Sequence, residues 1–240
     1  MTAVDFSSAV TAVAKIGYQT VELAGYGNLL SANEAAAVLR QAGLRVVAGH
    51  VPLDYLCQYI DHCLNEALSL KAPRLIVPAV PESLRESSDG YRRAADLLNR
   101  LGERCHASGV RLGYHHHAFE WEPLPNGERG IDLLYRLTHA EYVDAELDIY
   151  WLVVAGECPV EVIRRLGRRV AVVHLKDMLP GDQPRFAPVG HGIIDFPAVL
   201  AALREYAPHA ELIVEQDETY GDAPLACITC SYRYLAHLLA

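Results

Sequence analysis

The sequence lacks the features that would place it in several broad classes. Six cysteines in 240 residues, at 57, 63, 105, 158, 227 and 230, are too sparse and scattered for a disulfide framework, so reduced thiols in a cytoplasmic protein are expected. No stretch approaches the ~20 apolar residues of a membrane span, and the first residues carry neither a basic leader nor an unbroken apolar run, which predicts a soluble chain. Basic residues are in deficit: 21 Lys and Arg against 30 Asp and Glu give a formal charge of −9, which argues against nucleic acid or anionic lipid as a partner. The turn AGYGNLL does not match the glycine-rich phosphate turn G-x-G-x-x-G. No internal repeat or low-complexity tract marks a second domain, and residues 1–240 read as one domain. What the chain has is apolar material, 51% of its residues, enough to bury one large core.

That material falls into an alternating pattern. Apolar residues at helical spacing from Phe6 to Ile16 stop at Gly17, and TVELAG follows as a strand. The same unit then recurs along the chain. Seven strands are predicted near positions 20, 45, 75, 112, 145, 172 and 213, each followed by a helix or a helix-length segment. Nearly all are short apolar runs, as strands covered on both faces must be. The stretch YVDAELDIYW reads as one strand reaching Trp151, and Met178 to Gly192 reads as a long polar loop. The fold predicted is α/β, a TIM (β/α)8-type barrel lacking its first strand, with an open doubly wound sheet as the alternative. Unpaired edges at the missing strand predict a homodimer, or a local rearrangement of residues 1–5 across the gap.

In a barrel the C-terminal ends of the strands converge on one pocket. Those ends carry Glu22, His50, the cluster His115 to Glu120 within RLGYHHHAFEWE, Asp148, His174 with Lys176, and Glu215 with Asp217. Carboxylates and an imidazole on successive strands suit one divalent ion, Mn2+, Mg2+, Co2+ or Zn2+. Alternation places His174 and Lys176 on one face of their strand, and Glu146 and Asp148 likewise share a face of theirs. Asp148, nearer the exit, is the expected ligand, and Glu146 is left as a supporting or core polar residue. The pair CITC at Cys227 to Cys230 lies in an amphipathic closing helix without a second pair, so buried thiols are expected there rather than a redox or zinc site.

The segments KIGYQTVELAGYG (15–27), GLRVVAGHVPL (43–53), YHHHAFEWE (114–122), ELDIYWLVVAG (146–156), VVHLKDM (172–178), PVGHGIIDF (188–196) and IVEQDE (213–218) together resemble the xylose isomerase-like TIM-barrel superfamily. The resemblance is to its sugar phosphate isomerase/epimerase group, which includes inosose dehydratases and tagatose 3-epimerases. It implies a divalent ion held by a residue of the histidine strand, by Asp148, by His174 and by Glu215. For the first position Glu120, His115 and His117 all remain open, because many relatives place a glutamate where this chain has His115. It implies a small carbohydrate substrate, and proton transfer through an enediolate next to a metal-bound carbonyl. Glu215 and Glu120 are then the proton carriers and Lys176 an anchor. His50, His115 and His117 are expected as hydrogen-bonding partners, and Tyr26, Tyr114 and Trp151 as an apolar wall. The activity expected is isomerase or epimerase; the alternatives are an inosose-type dehydratase and a barrel inactive for want of its first strand.

Overall fold

The computed structural model describes residues 5–29 and 31–240. Seven parallel strands form one sheet in the order β1 (Thr20–Leu23), β2 (Arg45–His50), β3 (Arg74–Val77), β4 (Arg111–His115), β5 (Val143–Asp148), β6 (Val170–Leu175) and β9 (Glu211–Val214). Between β6 and β9 the short strands β7 (Asp177–Met178) and β8 (Phe186–Ala187) pair antiparallel, so the expected polar loop from Met178 to Gly192 is partly strand and its pairing begins one residue earlier. The helices are α1 (Phe6–Ile16), α2 (Ala32–Ala42), α3 (Leu53–Leu70), α4 (Ser88–Ala107), α5 (Gly130–Leu137), α6 (Ile149–Val154), α7 (Pro159–Leu166), α8 (Phe196–Tyr206) and α9 (Pro224–Leu239). The result is a nearly closed parallel barrel wrapped by helices, an incomplete (β/α)8 barrel.

Local chemistry sets the element ends. Asp5 caps α1 by accepting from the Ser8 amide at 3.2 Å, Ser31 caps α2 through the Glu34 amide, and Asp195 caps α8 through the Ala198 amide at 3.0 Å. Gly43 stops α2 in the left-handed region at φ 74°. One strand end differs from the sequence expectation: β5 stops at Asp148, and Ile149, Tyr150 and Trp151 are helical. Asp148 Oδ1 accepts from the Trp151 amide at 3.1 Å, so its side chain caps α6 and overrides the β propensity of the next three residues.

Two register shifts interrupt the ladders of the barrel. On β1 and β2, Val21 pairs with Val46 but Glu22 pairs with Ala48; on β5 and β6, Ala145 pairs with Val170 but Glu146 pairs with Val172. In each case the neighbouring strand carries one extra residue, Val47 or Ala171, beside an inward glutamate.

The barrel does not zip shut between β1 and β9, which have no ladder between them among the described residues. Side chains span the gap instead. Arg45 on β2 forms a two-pronged ion pair with Glu211 on β9, both prongs at 3.0 Å, and Tyr18 Oη donates to the Ile228 carbonyl of α9 at 2.8 Å. A cavity of about 440 Å³, lined by Thr20, Arg45, Leu175, Leu212, Val214 and Tyr232 among others, lies along this seam. The expected rearrangement of residues 1–5 across the gap falls on residues 1–4, outside the described residues; Asp5 is engaged as the α1 cap. Cys227 is buried and Cys230 half-buried within α9, and all six cysteines are free thiols.

Candidate metal centre and active site

The inner face of β5 frames the site. Alternation puts Asp144, Glu146 and Asp148 one above another inside the barrel, all three buried. Each meets a different kind of base. Asp144, at the N-terminal end, lies 3.3 Å from Arg74 Nε and 3.2 Å from Arg111 Nε. Glu146 Oε1 lies 2.9 Å from both His50 Nε2 and His115 Nδ1, and 3.3 Å from His174 Nε2. Asp148 Oδ2 lies 3.1 Å from Lys176 Nζ and 3.9 Å from His174 Nδ1.

The uppermost level gathers Asp148 from β5, His174 from β6 and Glu215 just after β9, with one ligand atom of each within 4.8 Å of the others. His174 Nδ1 is 2.6 Å from Glu215 Oε2, and Lys176 Nζ is 2.9 Å from the same oxygen while its hydrogen bond goes to Asp217 at 3.0 Å. Asp148 Oδ2, His174 Nδ1 and Glu215 Oε2 are buried atoms without a directed hydrogen bond. A mixed oxygen and nitrogen set with unspent lone pairs fits a divalent cation. Burial pushes Asp148 up to about 6 against the pull of Lys176 and His174. Burial would raise Glu215 too, but His174 and Lys176 prevail and hold its carboxyl well below the usual range. Lys176 is held above its ordinary range, despite burial, by Asp148, Glu215 and Asp217.

The middle level contains more than the sequence pattern assigns. Glu146, expected as a supporting or core polar residue, is the hub of three imidazoles, and Glu22 joins it with Oε2 at 2.5 Å from His174 Nε2 and Oε1 at 3.4 Å from His50 Nε2. Burial alone would lower His50, yet Glu146 and Glu22 raise it to about 10, whereas burial with the neighbouring His174 and His50 lowers His115 well below its ordinary value. His116, to which the sequence pattern gives no role, is buried and accepts from the Asp148 amide through Nε2 at 3.3 Å, fixing the backbone that carries that carboxylate. Strand alternation is the signal available for Glu146; nothing local points to His116, which faces away from the pocket side of its strand.

The remaining expected residues divide. His50, His115, Asp148, His174, Lys176 and Glu215 come together. Glu120 does not: the turn Phe119–Trp121 carries its carboxylate beneath the histidine strand, where it is fully buried and accepts from Tyr114 Oη at 2.7 Å and the His117 amide at 2.8 Å. It belongs to neither converging ligand set among the described residues. Burial pushes it up to about 7 in spite of those two hydrogen bonds. Tyr114 is committed to Glu120 and to the Val80 amide, so it is not part of an open wall. Tyr26 donates to Glu66 on α3 and shares with His50 a cavity of about 480 Å³. His117 and Trp151 face each other with ring centroids 5.5 Å apart, and Lys176 Nζ lies 5.8 Å from the Trp151 ring. Burial and Lys176 bring His117 down to about 4, so its imidazole is neutral at pH 7.

Comparison with known proteins agrees with this architecture. The sequence profile of the xylose isomerase-like TIM barrel matches residues 10–226. Among characterised relatives, the chain is 28% identical over 151 residues to an inosose dehydratase of Lacticaseibacillus casei, covering 55% of this chain and 49% of that one. The chain thus spans about half the length of the curated relatives it matches. Among solved structures, a sugar phosphate isomerase/epimerase from Parabacteroides distasonis superposes with TM-score 0.83 at 22% identity, covering 97% of this chain and 92% of that one. A D-psicose 3-epimerase from Clostridium cellulolyticum superposes with TM-score 0.75 at 16% identity, covering 98% and 94%.

Proposed function

We infer that this chain, which belongs to the xylose isomerase-like TIM-barrel family, is a metal-dependent sugar or sugar phosphate isomerase or epimerase. The observation that carries the reading is the convergence of Asp148, His174 and Glu215 beside Lys176 at the strand ends. Asp148, His174 Nδ1 and Glu215 would hold one divalent cation, Mn2+, Mg2+, Co2+ or Zn2+, which when bound supplies Lewis-acid polarisation of a carbonyl oxygen.

The other steps belong to the chain. Glu215 has the most exposed side chain of the three, at 36%, so it can reach a carbon acid in the pocket mouth and move its proton. Lys176, kept protonated by three carboxylates, anchors a hydroxyl, phosphate or carboxylate of the substrate. His117, neutral and with a buried, unpartnered Nδ1, offers a hydrogen bond to a hydroxyl, and Trp151 gives the C–H face of a sugar an apolar surface. Glu120 takes part by holding the His117 amide rather than by touching substrate. A small carbohydrate is the partner this pocket suits; the acidic charge disfavours nucleic acid, and no helix among the described residues is long and apolar enough to cross a membrane. The unpaired β1 and β9 edges are where a second copy would add; light scattering showing a stable monomer removes that element.

A second reading, an inosose-type dehydratase, is favoured by the similarity to inosose dehydratases over 55% of the chain. Both readings begin with removal of a proton next to a carbonyl. Incubating the protein in D2O with a panel of ketoses, ketose phosphates and keto-inositols, each of the four ions supplied in turn, is therefore the informative experiment. Deuterium at that carbon, dependent on metal, is expected, and the product then separates epimer, isomer and dehydrated ketone. Absence of exchange on every substrate with metal bound overturns both.

A further inference from the structure

The three carboxylates on the inner face of β5 are neutralised unequally. Asp144 faces the guanidinium groups of Arg74 and Arg111, and Asp148 faces the Lys176 ammonium. Glu146, between them, faces neither arginine nor lysine: its neighbours are His50, His115 and His174, whose charge depends on protonation, and a second carboxylate, Glu22, lies against His50 and His174. The arrangement is enclosed. Glu146 is fully buried, His174 and His115 are 2% and 3% exposed, and the Glu22 side chain is 6% exposed. Glu146 Oε2 and Glu22 Oε1 are buried oxygens with no hydrogen-bond partner. Two carboxylates held this way carry a large desolvation cost unless protonated imidazoles or a metal cation answer them, and the two unpartnered oxygens are left over after the imidazole contacts are made.

One ligand atom each from His50, His115, Glu146 and His174 lies within 4.8 Å of the rest, a cluster that shares only His174 with the Asp148 and Glu215 set. The sharing is through opposite ring nitrogens. His174 turns Nδ1 toward Glu215, at 2.6 Å, and Nε2 toward Glu22, at 2.5 Å. Its imidazole therefore stands as a partition between two groups of donors, and Glu22 is placed to complete the lower group if Nε2 is spoken for.

We propose that this lower level is a second divalent-cation site, built by His50, His115 and Glu146 with Glu22 or His174 Nε2 completing it, and separated from the upper site by the His174 ring. Imidazoles with carboxylates in a buried, water-poor setting select a borderline transition ion such as Zn2+, Mn2+ or Co2+ over Mg2+ or Ca2+. The proposal shares the upper site with the functional reading above but requires no particular reaction. Failure of the exchange experiment leaves it standing, and its own failure leaves the single-ion reaction standing.

The test is stoichiometry. The full chain is stripped with chelator, reloaded with Zn2+ or Mn2+, passed through gel filtration and assayed by elemental analysis. Two ions per chain are expected. Glu146→Gln and His50→Asn should each reduce the count to one, and Asp148→Asn should also leave one, lost from the other level; circular dichroism checks that each variant is folded. With Mn2+, electron paramagnetic resonance should give an exchange-coupled spectrum in the unaltered chain and an isolated-ion spectrum in Glu146→Gln. Saturation of the unaltered chain at one ion overturns the proposal, whichever variant removes that ion, and makes the lower level a hydrogen-bonded support for His174.

Discussion

Strands β5 and β6 on one side of the barrel, and β1 and β9 on the other, contribute to the same pocket under different conditions. Every residue of β5 and β6 is buried, and each strand is paired on both edges; β1 has one buried residue of four and β9 has none. The ligands inherit the difference. Asp148 and His174 are 0% and 2% exposed, whereas the Glu215 side chain is 36% exposed. On the proposed function, the closed side would fix the geometry of the site and the open side would supply the group that moves against substrate. Stability and reactivity are thus drawn from opposite walls, and substitutions on the two walls should separate them.

The largest effect is expected at the partition. His174→Ala should abolish ion binding at the upper level and reduce deuterium exchange to background. It should also destabilise the protein by about 3–5 kcal/mol, because Glu22, Glu146 and Glu215 then lose their shared partner. Urea denaturation with metal analysis checks both, and an ion count equal to that of the unaltered chain breaks the comparison. Glu215→Gln on the open wall should lower exchange ~10²- to 10⁴-fold while costing less stability than His174→Ala, because Asp148 and Asp217 still answer Lys176. Lys176→Met, beside it, should raise KM more than it lowers kcat if the ammonium anchors substrate.

The next effect is a pH dependence behind the histidine strand. Glu120 sits at about 7 in the fold against an ordinary 4.5, so the folded state holds its proton more tightly than the unfolded state. Its contribution is full below pH 4.5 and is lost as pH rises to 7, up to about 3 kcal/mol at ~1.4 kcal/mol per pH unit. Metal-free Glu120→Gln should lack this component, so the stability difference between variant and parent should change across that window. The smallest effect belongs to the seam: Arg45→Met, removing an ion pair whose arginine side chain is 55% exposed, should cost ~0–1 kcal/mol. A loss of several kcal/mol would mean that the Arg45 pair, rather than the hydrophobic seam, closes the barrel.

The strand ends are legible because a parallel strand buried on both faces reads as an apolar run with its chemistry at the exit. His50, Asp148, His174, Lys176 and Glu215 follow from that rule. Alternation also puts Glu146 beside Asp148, but how many imidazoles meet it depends on the curvature that brings β2, β4 and β6 around β5, which no single segment encodes. Glu120 departs from expectation for the converse reason. Proximity in sequence to three histidines says nothing of a tight turn that aims the carboxylate at Tyr114 on the far face of the strand. Trp151 reads as part of β5 because Ile149, Tyr150 and Trp151 favour strands, while the helix cap formed by Asp148 decides otherwise.

The extra residues Val47 and Ala171 set the parity of the pocket. Up to each irregularity the two strands count in step; beyond it, one is a residue ahead, so odd and even positions exchange walls. His50, His174 and Lys176 face the interior only because that count is offset by one. Were Ala171 drawn into the ladder opposite Glu146, every later residue of β6 would slip by one and His174 and Lys176 would turn toward the helices, with Leu175 put in their place. Composition and fold class would be unchanged, and the pocket would lose its chemistry through arithmetic alone.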